Sequence, residues 1–112
     1  MKITHYEDSA IIQPIGSLDI NTSDELSKAV IEAFESGAKS LLIDCQAVTF
    51  LDSSGLSVMV MALKKARELH VKLALCSINE QAMMLFKLTG MNKVFNILED
   101  SAAFRPILAN AQ

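Results

Sequence analysis

The apolar period changes several times along the chain, and each change marks an element. Residues 1–16, MKITHYEDSAIIQPIG, place β-branched and aromatic side chains on both sides of the polar cluster Glu7-Asp8-Ser9, which predicts two short strands joined by a tight turn. Pro14 offers no amide hydrogen to a ladder, so its strand ends there or lies at an edge. In INTSDELSKAVIEAFESG the spacing becomes helical. Leu26, Ala29, Val30, Ala33 and Phe34 share one face, Thr22 and Glu25 have capping-box spacing, and Gly37 supplies the stop.

KSLLIDCQAVTF is a short apolar run of the kind that parallel sheets bury on both faces. Beyond the polar seam LDSSG, a second helical stripe follows through Leu56, Met59, Val60, Leu63 and Ala66 towards Leu69. VKLALCSI predicts another buried strand. NEQAMMLFKLTG predicts a third helix, opened by a capping-box pattern from Ser77 to Glu80 and stopped by Gly90. KVFNIL reads as a final strand, and SAAFRPILANAQ as a terminal helix that Pro106 kinks, frays or shortens. Strands alternating with helices of about 10 to 16 residues predict an α/β fold. Its mixed sheet is mostly parallel, with an antiparallel N-terminal strand and about four helices.

Length and charge narrow the possibilities. The chain of 112 residues suits a single domain over residues 1–112, and 51% apolar with 21% charged residues allows a packed core. A formal charge of −3 offers no basic field for phosphates, so nucleic acid is not expected as a partner. The N-terminus has no apolar leader, and GLSVMVMAL falls short of the roughly 20 residues that span a bilayer; a cytoplasmic, non-membrane protein is expected. Cys45 and Cys76 sit in apolar runs without metal-ligand spacing, so buried thiols are expected, with no metal and no cofactor. Nothing in the composition calls for a dimer, and a monomer is expected.

The seam itself, TFLDSSGLSV, sets an acid, two hydroxyls and a glycine at the entrance to a helix. Ser53 and Ser54 fall in its first turn or at its cap, which leaves two explanations. A serine hydroxyl that accepts a first-turn amide is worth about 1 kcal/mol as a cap. Alternatively, a phosphoryl group on the serine would meet free amides and the positive end of the helix. Ser57, Val58 and Met61 fall off the main stripe on the motif's side, either beneath a neighbouring helix or in a docking patch.

These segments resemble the anti-sigma factor antagonists, single-domain members of the STAS group. Gly16 to Leu26, GSLDINTSDEL, resembles the G-x-L-D segment before the first helix. Leu41 to Leu56, LLIDCQAVTFLDSSGL, resembles the strand, loop and phosphorylation motif, and Met84 to Ile97 the later helix, glycine turn and strand. The resemblance implies a STAS-like sheet in a bacterial partner-switching protein. The unphosphorylated antagonist would bind an anti-sigma factor serine/threonine kinase, which uses ATP and Mg2+ to phosphorylate it and so release itself. A PP2C-type phosphatase would restore the binding form. Ser53 is then the phosphoacceptor, with Ser54 as second choice. Asp19 and Asp52 orient the loop or touch the kinase, and Ser54, Gly55, Ser57, Val58 and Met61 complete the partner surface. Pro106 departs from the family's continued terminal helix. Relatives with other outputs leave open a STAS regulatory domain serving different kinase and phosphatase signalling or binding a nucleotide.

Three competing readings stand beside this one. A serine hydrolase needs a base, but His5 and His70 have no motif spacing to the serines, and LDSSG is not the G-x-S-x-G elbow. A nucleotide site lacks a glycine-rich loop with its lysine. A purely structural role leaves the serines as a helix cap. The balance favours a binding module, not an enzyme.

Overall fold

Alternating apolar positions in KITHY and SAIIQ produce the first hairpin, in which β1 (Lys2–Tyr6) and β2 (Ser9–Gln13) pair antiparallel. Glu7 turns the chain with a positive φ of 45°, and β2 stops immediately before Pro14. The computed structural model describes residues 1–104. After the hairpin come β3 (Gly16–Leu18), α1 (Ser23–Glu35), β4 (Ser40–Asp44), β5 (Val48–Leu51) and α2 (Ser53–Leu69). Then follow β6 (Lys72–Cys76), α3 (Glu80–Leu88) and the short β7 (Ile97–Leu98).

Five strands form the main sheet in the order β1-β2-β4-β6-β7, parallel after the first pair. All five residues of β4 are buried at its centre, as its apolar run requires. The three helices pack on one face. There Leu26 and Val30 of α1, Met59 and Ala62 of α2 and Phe86 of α3 join Ile12, Leu41, Ile43 and Leu75 of the sheet. Phe86 meets Phe95 edge to face at 5.5 Å. On the other face Leu42, Ala74 and Cys76 gather under Phe104.

The mixed, mostly parallel sheet with its antiparallel first pair agrees with the sequence pattern, while several local details differ. KSLLIDCQAVTF divides into two strands. Asp44 makes the break: its buried carboxylate accepts from the Gln46 backbone N–H (3.1 Å) and the Gln13 side-chain amide (3.2 Å). β5 thereby leaves the main sheet and pairs with β3 in a separate two-stranded ribbon. Neither capping box forms. The Thr22 hydroxyl donates to Ser17 O (2.7 Å), and Glu25 binds the N-terminal ammonium of Met1 (3.1 Å). Ser77 lies outside α3 with φ 56°, and Asn79 caps that helix instead. On α2, Ala62 joins the buried stripe and Val60 is exposed, because the buried face advances by three and four residues from Met59. Among the described residues there are three α-helices. Of the expected terminal helix, Ser101–Phe104 forms a 3₁₀ turn, and the remainder with Pro106 lies outside the described residues.

Both cysteines are free and buried, Cys45 in the helix-side core and Cys76 in the cluster under Phe104. Both thiols are pushed up from 9.0 to about 12, first by burial and then by neighbouring negative charge, including the Asp44 carboxylate. The folded state thus holds them neutral, whereas the unfolded chain ionises from about pH 9. Their contribution to stability is present below that pH and is lost as the pH climbs towards 12. At about pH 8 a thiol-specific reagent is expected to leave both cysteines unmodified in the native chain and to label both in denaturant. Rapid labelling of the native chain would show that these strand ends open readily.

Candidate functional site

The G-S-L-D and L-D-S-S-G segments meet through one backbone contact. The Asp52 N–H at the end of β5 donates to Leu18 O at the end of β3 (3.1 Å). Gly55 lets α2 settle onto that junction: a Cβ there would lie 2.6 Å from Leu18 O, 2.7 Å from Leu51 Cδ1 and 2.9 Å from Leu18 Cβ. Those distances exclude any side chain without displacement of backbone. Gly55 is buried, so it supports the site from beneath and offers no surface to a partner, contrary to its place in the expected contact set.

Asp52 is the residue that caps α2. Its Oδ1 accepts from the N–H groups of Ser54 (2.8 Å) and Gly55 (3.2 Å), so neither serine serves as cap. Ser53 is the first helical residue and is exposed. Its carbonyl accepts from the Ser57 hydroxyl (2.8 Å), while its own hydroxyl makes no hydrogen bond among the described residues. Ser54 is half-buried. This geometry revises the expectation that a phosphate would fall onto vacant amides. Two first-turn amides already hold a carboxylate, so a phosphoryl group on Ser53 would arrive beside a negative charge.

Asp19 is engaged locally as well. Its Oδ1 accepts from Asn21 N–H (2.9 Å), and its carbonyl accepts from Thr22 N–H (3.1 Å) and Ser23 N–H (2.8 Å), shaping the turn into α1. Asp19, Asp52, Ser53, Ser54 and Ser57 are therefore gathered around the ends of β3 and β5. Val58 and Met61 are not part of this group. Val58 is half-buried against the core, and Met61 lies about two turns beyond Ser53 on α2, lining a cleft of about 550 Å³ with Ile31, Phe34 and Leu69.

Sequence reading missed two features of the site. One is apolar surface around the ribbon: Ile15 (69% exposed) and Ile20 (74%) flank β3, and Phe50 (44%) lies opposite Ser17 on β5. The other is support from α3. The Gln81 side chain accepts from Leu51 N–H (2.9 Å) and donates to Leu51 O (2.7 Å), and Asn79 donates to Val48 O (3.2 Å). The polar run Asn79-Glu80-Gln81 announced a helix start, and periodicity gave no hint that it grips another strand. The histidines stand apart: His70 closes the far end of α2, and His5 pairs with Ala10 in β1. Among the described residues, no three His, Cys, Asp or Glu side chains are grouped to hold a metal.

The sequence profile of the STAS domain matches residues 1–103. An anti-sigma-B factor antagonist of Staphylococcus epidermidis is 27% identical over 97 residues, covering 87% of this chain and 89% of that protein. Among solved structures, an anti-sigma factor antagonist from Mycobacterium paratuberculosis aligns with TM-score 0.86 at 19% identity, over 96% of this chain and 92% of its own. The Bacillus cell fate determinant SpoIIAA, in its phosphorylated form, aligns with TM-score 0.75 at 14% identity over 95% and 97%. The structural likenesses establish a shared fold.

Two substitutions test this local geometry. Gly55→Ala is expected to cost about 1–3 kcal/mol or more in urea denaturation, because overpacking forces β3 and α2 apart. Asp52→Ala is expected to cost about 1 kcal/mol through loss of the cap. A neutral Gly55→Ala would show that α2 does not press on Leu18 in solution.

Proposed function

This chain belongs to the STAS domain family, and from that premise we propose that residues 1–112 act as one phosphorylation-switched binding module, an anti-sigma factor antagonist. The unphosphorylated form binds an anti-sigma factor serine/threonine kinase in the cytoplasm. That kinase transfers the γ-phosphoryl group of ATP to Ser53 Oγ, and a PP2C-type phosphatase hydrolyses the ester to restore the binding form. The module is a binding protein and catalyses neither step.

The observation that carries this reading is the exposed Ser53, which directly follows the Asp52 cap at the end of β5 and whose hydroxyl makes no hydrogen bond among the described residues. Ile20 and Phe50 supply area that a partner can desolvate, and Ser53 sits where a small chemical change alters that area's charge. Phosphorylation adds roughly −1.5 to −2 at neutral pH. The addition is large against a formal charge of −3, and it falls beside a carboxylate that already occupies the helix amides. Docking would then have to desolvate two neighbouring anions, a cost that opposes the apolar contact. Ser54 is the weaker acceptor candidate because it is half-buried and its own N–H is held by Asp52. SpoIIAA, whose fold this chain shares, has a phosphorylated form, which supports a switch of this kind.

Peptide mass spectrometry of the chain from its native cells is expected to find one phosphatase-removable phosphate, on Ser53. Using Ser53→Ala as bait should then recover the kinase, and Ser53→Asp should bind it at least about tenfold more weakly, equivalent to about 1.4 kcal/mol. Equal binding by the two variants would leave the serine without a switching role.

A further inference from the structure

We infer that Gln81 is a positioning residue for Ser53, acting through the backbone of Leu51; this inference rests on the phosphoserine reading above. β5 has four residues, and its only strand neighbour among the described residues, β3, has three, with a register shift between Gly16 and Ser17. A two-stranded ribbon of that size is marginal by itself. Its other edge would be an open row of backbone donors and acceptors.

Gln81 closes that edge. One side-chain amide satisfies both the N–H (2.9 Å) and the carbonyl (2.7 Å) of Leu51, as a neighbouring strand would. Asn79 holds the other end: its Nδ2 donates to Val48 O (3.2 Å) while its Oδ1 caps α3 by accepting from Ala82 N–H (2.8 Å). The first turn of α3 therefore grips both ends of β5. The residue after Leu51 is the Asp52 cap, and the next is Ser53.

Phosphoryl transfer depends on holding the accepting oxygen in line, and positioning supplies much of the rate. Without the Gln81 amide, Leu51 loses both outer-edge partners and the cap and hydroxyl lose their anchor. Gln81 is itself exposed, so its value lies in these two hydrogen bonds and not in core packing.

The test compares the full-length wild type with Gln81→Ala and Gln81→Met, the latter preserving side-chain length without the amide. Hydrogen exchange is followed at Leu51 and, as a reference in the central strand, at Ile43. Ser53 phosphate occupancy is measured in native cells at matched protein level. Both variants are expected to exchange at Leu51 at least about tenfold faster, with Ile43 unchanged. Ser53 occupancy should fall at least about threefold, as expected for a less well-held acceptor.

Wild-type behaviour of Gln81→Met would assign Gln81 to packing and overturn the inference. Equal acceleration at Ile43 would mark global loosening and overturn it as well. Unchanged Ser53 occupancy with Leu51 deprotected would refute the link to Ser53 while leaving the phosphoserine reading intact. A wild-type chain without phosphate on Ser53 would refute both together.

Discussion

The close approach of α2 to the end of β3 is the constraint on which the site depends. Helix and strand touch where Gly55 lies against Leu18, with room for no side-chain atom between them. That contact brings Asp52 N–H to Leu18 O and joins two short motifs separated by a helix and two strands. The glycine acts by its small size here, since its backbone is ordinary helix and it is absent from the positive-φ positions. Hydrogen bonding, capping and exposure of Ser53 all follow from this seating.

The electrostatics follow from the same seating. A helix N-terminus ordinarily welcomes an anion. Here the protein supplies its own: Asp52 holds two amides, and Asp19 is similarly held by the turn into α1. Both acids are consequently fixed in position and partly screened by their donors. A newcomer of the same sign finds less compensation than the bare helix end would give it. Around the ends of β3 and β5 the chain thus exposes Ile15, Ile20 and Phe50 together with two carboxylates that are already hydrogen-bonded.

Much of the fold was legible because its signals are long and periodic. The stripes of α1 and α2, the buried runs of β4 and β6 and the polar turn before Ser9 each repeat a pattern over several residues. What the sequence concealed was local choice among equivalent polar groups. Thr22, Asp52, Ser53, Ser77 and Asn79 are all good cap formers, and tertiary contacts decide among them. Ser17 O draws the Thr22 hydroxyl away, and the left-handed backbone at Ser77 shifts the start of α3 to Asn79. The break at Asp44 was hidden for a different reason, since Cys45 and Val48 on its two sides are both apolar and buried. The motif around Ser53 was therefore located by spacing, whereas the buried place of Gly55 and the grip of Gln81 required three dimensions.

The span of chain that completes the site also bears on its biosynthesis. The last segment to grip β5, Asn79 to Gln81, lies about thirty residues beyond it, on the far side of α2 and β6. During vectorial synthesis the whole L-D-S-S-G motif leaves the ribosome before its outer support exists, and closing such long-range pairings is slow compared with forming helices. A nascent or prematurely terminated chain carries the complete serine motif on an unsupported ribbon. The outer edge of β5 is closed only when the third crossover has docked, so the ribbon under Asp52 depends on completion of the fold beyond it.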